Sequence, residues 1–277
     1  MSTIDPFDYK EPACVLCGGE EFYYPDRKKP STTVPIRSVI EKIDALYAKN
    51  DLAQAEKVLS YWLSEAKELG DKRGELEIRS EQIGLYRKLN DAEKGLESVE
   101  EGMKILSELE LKGTVSGATI ALNAATTYKA FGFADKAMPI YKQVEEVYEQ
   151  NLPADDPRFA GFYNNEALTL ADLGRDVEAE IAFKKAISIL TGQPNKENDI
   201  AVSYVNLAHL LEGKPGREDE TYACVEKAIE LLDTPGLPQN GYHAFVIEKC
   251  LPSIEYFGYF MAKNRLEKRM KEIYARA

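Results

Sequence analysis

Glycine or asparagine interrupts the apolar and polar pattern of this chain at a nearly constant interval. Six stretches with the apolar spacing typical of helices end at such a residue. The interval is 40 residues once and then 42 residues four times, and the six residues are Asn50, Asn90, Gly132, Gly174, Gly216 and Gly258. Because Gly and Asn accept a left-handed backbone just past a helix, each of them predicts a tight turn between two helices.

The helix after each turn repeats a pattern of small and bulky residues. Five residues after the turn stand Ala55, Gly95, Ala137, Ala179 and Thr221. Nine residues after it stand Leu59, Val99, Tyr141, Phe183 and Val225, and twelve after it stand Trp62, Gly102, Val144, Ala186 and Ala228. The sixth repeat fits with a shift of about one residue, through Ala262 and Leu266. Small residues let helices approach closely and bulky ones fill the gaps, so the pattern predicts stacked helix hairpins.

Acidic residues beside the turns are predicted to cap the second helices. These N-cap candidates are Asp51, Asp91, Asp135 and Asp176. The chain then divides into an N-terminal arm, residues 1–35, with five of the thirteen prolines, and a repeat region, residues 36–277. The six hairpins are predicted at about 36–70, 73–111, 115–151, 157–191, 198–233 and 242–277.

Residues 152–190, LPADDPRFAGFYNNEALTLADLGRDVEAEIAFKKAISIL, are similar to one repeat of the tetratricopeptide repeat (TPR) family, in its 42-residue kinesin-light-chain variety. The DDP loop, the NN pair, the glycine turn and the EAE spacing carry the resemblance, which extends over about residues 36–277. It implies an all-α, right-handed α-solenoid of about six antiparallel hairpins. It also implies a scaffold that binds proteins or peptides. Two departures are Glu166, where the neighbouring repeats have apolar residues, and Pro252, which we expect to interrupt its helix and make the last repeat an irregular cap.

A row of asparagines recurs in the first helices of repeats three to five. Asn123, Asn165 and Asn206 each precede an alanine by two residues, a step of about 200° around a helix. If the alanine packs on the partner helix, the asparagine faces the other way, and in the family resembled that face lines a concave groove. Side-chain amides can pair with the backbone of an extended peptide. Alternatively, the asparagines bond a neighbouring helix and are structural.

Other first-helix residues would set the specificity of such a groove. The predicted peptide-binding residues are Asn123, Asn164, Asn165, Asn206, Thr126, Lys129, Leu168, His209, Arg79 and Arg87. Asn164 has no asparagine counterpart in the other repeats, so it is expected to be particular to repeat four. The basic members favour an acidic peptide or a C-terminal carboxylate, unless they are ordinary solvated surface.

The arm carries a CxxC motif, Cys14 and Cys17, in the sequence CVLCGG. Two thiolates at this spacing can share a tetrahedral zinc ion, but a closed site needs four ligands. The only further candidates are Cys224, Cys250 and the two histidines, so the alternatives are a zinc site, also one shared across a homodimer, or a turn with two free thiols. The aromatic stretch EEFYYPD, residues 20–26, is predicted to pack on the first hairpin or to fold into the groove and compete with a ligand.

Composition narrows the function classes. The net charge of -12 argues against general affinity for nucleic acid or anionic membranes. Catalytic signatures such as GxSxG, HExxH or a phosphate-binding glycine loop are missing from the sequence, which favours a non-enzymatic protein without a cofactor. Four cysteines and no long apolar run favour a cytoplasmic protein. The sequence therefore predicts a protein- or peptide-binding scaffold, and the alternative is a peptide-sensing regulator that switches conformation or oligomer state.

Overall fold

The computed structural model describes residues 33–47, 49 and 51–276. These residues form twelve α-helices and no strand, an all-α repeat fold as the sequence predicts. The helices are α1 Ile36–Tyr47, α2 Leu52–Leu69, α3 Lys72–Leu89, α4 Ala92–Glu108, α5 Val115–Ala130, α6 Ala134–Asn151, α7 Arg158–Asp172, α8 Asp176–Leu190, α9 Glu197–Leu211, α10 Glu218–Leu232, α11 Gly241–Tyr256 and α12 Phe260–Tyr274. None of the described helices is long and apolar enough to cross a membrane.

The turns inside the hairpins have the predicted left-handed backbone. Asn90 has φ 54°, and the glycines at 132, 174, 216 and 258 have φ between 71° and 87°. The first predicted turn residue, Asn50, lies outside the described residues. A positive φ strains most L-residues but costs Gly nothing and Asn little, which explains why either Gly or Asn stands at each of these turns.

Two of the four predicted caps are present. Asp51 accepts a hydrogen bond from the Gln54 backbone N–H and Asp91 from that of Lys94, each at 3.1 Å. The prediction was wrong for Asp135 and Asp176, because α6 begins at Ala134 and α8 at Asp176 itself, so both carboxylates lie inside the first turn. There they still face the positive end of the helix dipole.

The helices fall into two compact units, α1–α6 up to Leu152 and α7–α12 from Pro153. Within each unit, the residues five and nine positions after the hairpin turns are buried, as the pattern predicts. Twelve positions after the turns, Trp62 is only partly buried, whereas its four counterparts are buried. The second unit has its own core around Val205, Ile247 and Leu266.

Pro252 does not interrupt its helix, contrary to the sequence-based expectation. Helix α11 runs from Gly241 to Tyr256 with Pro252 inside it. Apolar residues on both sides of the proline, Ile247, Leu251 and Ile254, are 0–8% exposed and pack in one cluster. Burial on both sides stabilises the helix enough to offset the hydrogen bond that proline cannot donate.

Candidate functional site

The predicted asparagines are all buried in the described structure. Asn123 on α5 is 3% exposed, Asn164 and Asn165 on α7 are 4% and 2% exposed, and Asn206 on α9 is 8% exposed. Asparagine is a poor residue for the interior of a helix, and a buried amide there is usually explained by its hydrogen-bond partners. The four asparagines differ, however, in their hydrogen-bond partners.

Asn164 ties α7 to α9. Its side-chain oxygen accepts from Asn206 Nδ2 and from Ser203 Oγ, both at 3.2 Å. Ser203 was missed in the sequence analysis, although it stands one helical turn before Asn206. Asn164 and Asn206 thus bond each other across neighbouring first helices, which agrees with the alternative that the asparagines bond a neighbouring helix and are structural.

Asn165 has no such partner. Both amide atoms, Nδ2 and Oδ1, are buried and without a hydrogen-bond partner. Its backbone carbonyl oxygen accepts a hydrogen bond from Thr169 Oγ1 at 3.0 Å. Burying a polar group without a hydrogen bond costs about 1–3 kcal/mol, so such an amide calls for a reason other than stability.

In the first unit, Arg87 links α3 to α5. Its Nη1 donates to the Asn123 carbonyl oxygen at 3.3 Å and to Thr127 Oγ1 at 2.6 Å. Thr127 was also missed by sequence reasoning, and its signal is its place one turn beyond Asn123. The Arg87 side chain thus joins neighbouring first helices and is not simple solvated surface.

Thr126 and Arg79 face the second helices. Thr126 Oγ1 donates to the Leu122 carbonyl oxygen at 2.9 Å and lies 3.5 Å from the hydroxyl of Tyr141 on α6. Arg79 is 3% exposed, with Nη1 at 3.5 Å from Glu97 Oε1 on α4. Lys129 and Leu168 are half-buried. The structure therefore gathers Asn164, Ser203 and Asn206, and it directs Thr126 and Arg79 to second helices.

His209 is exposed and links α9 to α11. Its Nε2 lies 2.8 Å from Ser253 Oγ, and its ring lies 5.8 Å and 5.0 Å from the rings of Tyr256 and Phe257. Nδ1 lies 3.6 Å from a Glu212 carboxylate oxygen. This residue therefore belongs to an aromatic cluster at the end of the second unit.

The CxxC motif, Cys14 and Cys17, lies outside the described residues, so zinc binding there stays a prediction. Burial raises the pKa of the Cys224 thiol to about 11 and that of the Cys250 thiol to about 12, which disfavours the thiolate that a metal needs. Across the described ranges, no group of three or more His, Cys, Asp or Glu side chains could hold a metal ion.

Comparison with known proteins identifies the fold. No family model and no curated protein matches the chain. The structure of BtubC (BKLC) from P. vanneervenii is 24% identical with a TM-score of 0.60, over 71% of this chain and 80% of that chain. A kinesin-light-chain-like protein of Podosopora anserina with nearly identical TPR-like repeats is 15% identical with a TM-score of 0.52, over 73% and 95%. The chain has a TPR-like repeat fold.

The TPR-like fold agrees with the 42-residue period, the hairpin turns and the buried small residues. At these identities, the likeness extends to the fold alone. Repeat proteins of this kind generally serve as scaffolds for protein interaction, because stacked hairpins present an extended surface for a partner.

Proposed function

We propose that this TPR-like chain is a non-enzymatic module that binds a protein or peptide partner through its first helices. The observation that carries the proposal is Asn165, whose amide is buried and has no hydrogen-bond partner. An amide offers two donors and one acceptor oxygen, which match the C=O and N–H groups of an extended peptide backbone. The cost of leaving it unpaired in the free protein would be recovered when a peptide pairs with it.

Because the Asn165 amide is buried, a peptide can reach it only after a local rearrangement. Because Asn165 is 2% exposed, the residues that cover it must move aside when a peptide binds. Asn164, next to it in sequence, already accepts two hydrogen bonds from α9 and has a structural role. The two adjacent asparagines therefore have different roles in this proposal. Asn164 stabilises the packing of α7 on α9, and Asn165 binds the ligand.

Single substitutions of the adjacent asparagines test the proposal. Immobilised random decapeptides are the probe, and binding is measured for the wild-type chain, Asn165→Ala and Asn164→Ala. We expect Asn165→Ala to weaken binding about tenfold while the free energy of unfolding stays equal or rises, since no hydrogen bond is lost. Asn164→Ala is the matched control. Its free energy of unfolding should fall by about 1–3 kcal/mol, because Ser203 and Asn206 lose their acceptor.

Two outcomes would contradict the proposal. One is a wild-type chain that binds none of the peptides, and the other is an Asn165→Ala variant that binds as the wild type does. A regulator that switches oligomer state would, in addition, change its sedimentation coefficient when a peptide that it binds is added in solution. Sedimentation with and without peptide therefore separates a scaffold from a regulator that switches oligomer state.

A further inference from the structure

A polar recess lies in the first unit, lined by residues of helices α2, α3 and α4. It has a volume of about 350 Å³. Arg79, Gln82 and Tyr86 line it from α3, at positions that share one face of that helix, and the remaining lining comes from the second helices α2 and α4. It is therefore distinct from the α7 and α9 residues of the proposed peptide site.

Two of the side chains that α3 contributes to the recess, Arg79 and Gln82, are buried and incompletely hydrogen-bonded. Arg79 and Gln82 are each 3% exposed. The Nε of Arg79 and the Oε1 of Gln82 are buried without a hydrogen-bond partner. One is a donor and the other an acceptor, so a ligand that satisfies both must offer an acceptor and a donor.

The lining is cationic in a chain that is acidic as a whole. Arg79, Lys67 and Lys94 line the recess against one carboxylate, that of Glu97, whereas the chain carries a net charge of -12. Lys94 is paired with Glu56 at 2.7 Å and lies 3.6 Å from an Asp91 carboxylate oxygen. The charge available to a ligand is therefore that of Arg79 and Lys67. The contact between Arg79 Nη1 and Glu97 is long, 3.5 Å, and the Glu97 side chain is 64% exposed. The Glu97 side chain can therefore turn toward solvent, and the Arg79 guanidinium can then bind another anion.

We propose that this recess binds a phosphate group. Arg79 would bind its oxygens in place of Glu97, with Lys67 adding charge from the rim, because guanidinium and phosphate form strong charge-assisted hydrogen bonds. A monoprotonated phosphate also has a P–OH group, which donates to Gln82 Oε1. The buried Ser98 hydroxyl, 1% exposed and part of the lining, adds a further polar group.

Phosphate can come free in solution or on a phosphorylated side chain, and the probes distinguish the two sources. The full chain is titrated at pH 6, where inorganic phosphate is monoprotonated and about half of the phosphoserine compound is. The ligands are sodium phosphate, N-acetyl-phosphoserine amide and N-acetyl-serine amide at constant ionic strength, and binding is followed by ³¹P NMR and thermal shift. We expect both phosphates to bind and the unphosphorylated compound not to bind. Tighter binding of the phosphoserine compound assigns the recess to a phosphorylated protein, and tighter binding of inorganic phosphate assigns it to the free anion.

Matched variants locate the binding. Lys67→Gln should weaken phosphate binding at least threefold, whereas Lys57→Gln, an exposed lysine of the same helix outside the recess, should not change it. Arg79→Gln should weaken binding at least tenfold, and circular dichroism checks its folding. If that buried variant does not fold, Lys67→Gln and Gln82→Leu carry the test alone.

Sulfate tests the assigned role of Gln82, since sulfate has no proton to donate at pH 6, where phosphate still has one. The wild-type chain should prefer phosphate to sulfate, and Gln82→Leu should lose this preference. No binding up to about 20 mM phosphate, equal effects of Lys67→Gln and Lys57→Gln, or equal affinity of the wild type for sulfate and phosphate would each overturn the proposal. None of these results depends on whether Asn165 binds a peptide.

Discussion

At the scale of single residues, Asp71 holds two parts of the first unit with one carboxylate. Its Oδ1 accepts from the Gly74 backbone N–H and caps α3, and its Oδ2 accepts from the Val34 backbone N–H, both at 2.9 Å. Asp71 is 4% exposed. A buried carboxylate that accepts two backbone hydrogen bonds therefore both starts α3 and ties down the residues before α1.

Removal of this carboxylate should be costly. We expect Asp71→Ala to lower the free energy of unfolding by about 2–3 kcal/mol, because two backbone donors lose their acceptor in a buried place. Asp51→Ala, at an exposed cap with one such bond, is the control and should cost about 1 kcal/mol. Urea unfolding of both variants measures the difference. Equal losses would mean that the bond to Val34 contributes nothing.

The unequal roles of Asn164 and Asn165 also belong to this scale. The sequence singles out Asn164 because the other repeats have Leu122 and Val205 in its place. It does not reveal that the acceptor of two hydrogen bonds is Asn164, or that Asn165 has none. A spacing rule predicts the face of a helix, but the partner depends on what the next helix places within about 3 Å.

At the scale of elements, α11 buries a histidine among three other helices of the second unit. His243 is 0% exposed, and its Nδ1 lies 2.8 Å from Asn198 Oδ1 on α9. Burial, with the positive charge of Arg269 on α12 adding to it, lowers the pKa of His243 to about 4, while Asp233 after α10 opposes the shift. His243 Nε2 is buried without a partner, so the neutral ring is the form that the folded state accepts.

Acid should therefore destabilise the second unit through His243. The unfolded chain takes up the histidine proton near its ordinary pKa of 6.5, and the folded chain does so only near 4. Between these values, the unfolded state binds more protons, so stability falls as the pH decreases from 6.5 to 4. Urea unfolding at steps of pH in this range should show a smaller decrease for His243→Asn than for the wild type.

His209→Asn is the matched control, because His209 is the only other histidine of the chain and is exposed. It should keep the wild-type pH dependence. If His243→Asn keeps it too, the acid sensitivity belongs to carboxylates and the interpretation of His243 is wrong. The control matters because Asp199, whose pKa is raised by burial, also changes charge in acid.

At the scale of the whole molecule, the role of the N-terminal arm is still a prediction. Residues 1–30 lie outside the described part of the chain, and the sequence predicts either packing on the first hairpin or competition for the groove. If the arm competes, a chain that lacks residues 1–30 should bind the immobilised decapeptides more tightly, because no internal segment has to be displaced. Unchanged affinity would remove the competition model, and the full-length chain is the reference in the same assay.

The repeat fold could be predicted from the amino-acid sequence alone, because the signals for it are local. A helix end needs a residue that tolerates positive φ, and closely packed helices need small residues at fixed offsets, so both repeat with the period of the hairpin. The wrong predictions were also local. Asp135 and Asp176 were predicted as N-caps, but they lie two residues and one residue after the true N-cap positions. Helix boundaries are less certain from sequence than helix existence.

The hydrogen-bond partner of each polar side chain, in contrast, depends on the packing of one helix against another. Arg87 bonds α5, Arg79 lies against α4, and Asn206 bonds Asn164, which is 42 residues away in sequence. These contacts depend on how one hairpin is registered against the next, to within a fraction of a helical turn. A hydrogen bond requires its two atoms to lie about 3 Å apart, which the hydrophobic period of a sequence does not specify.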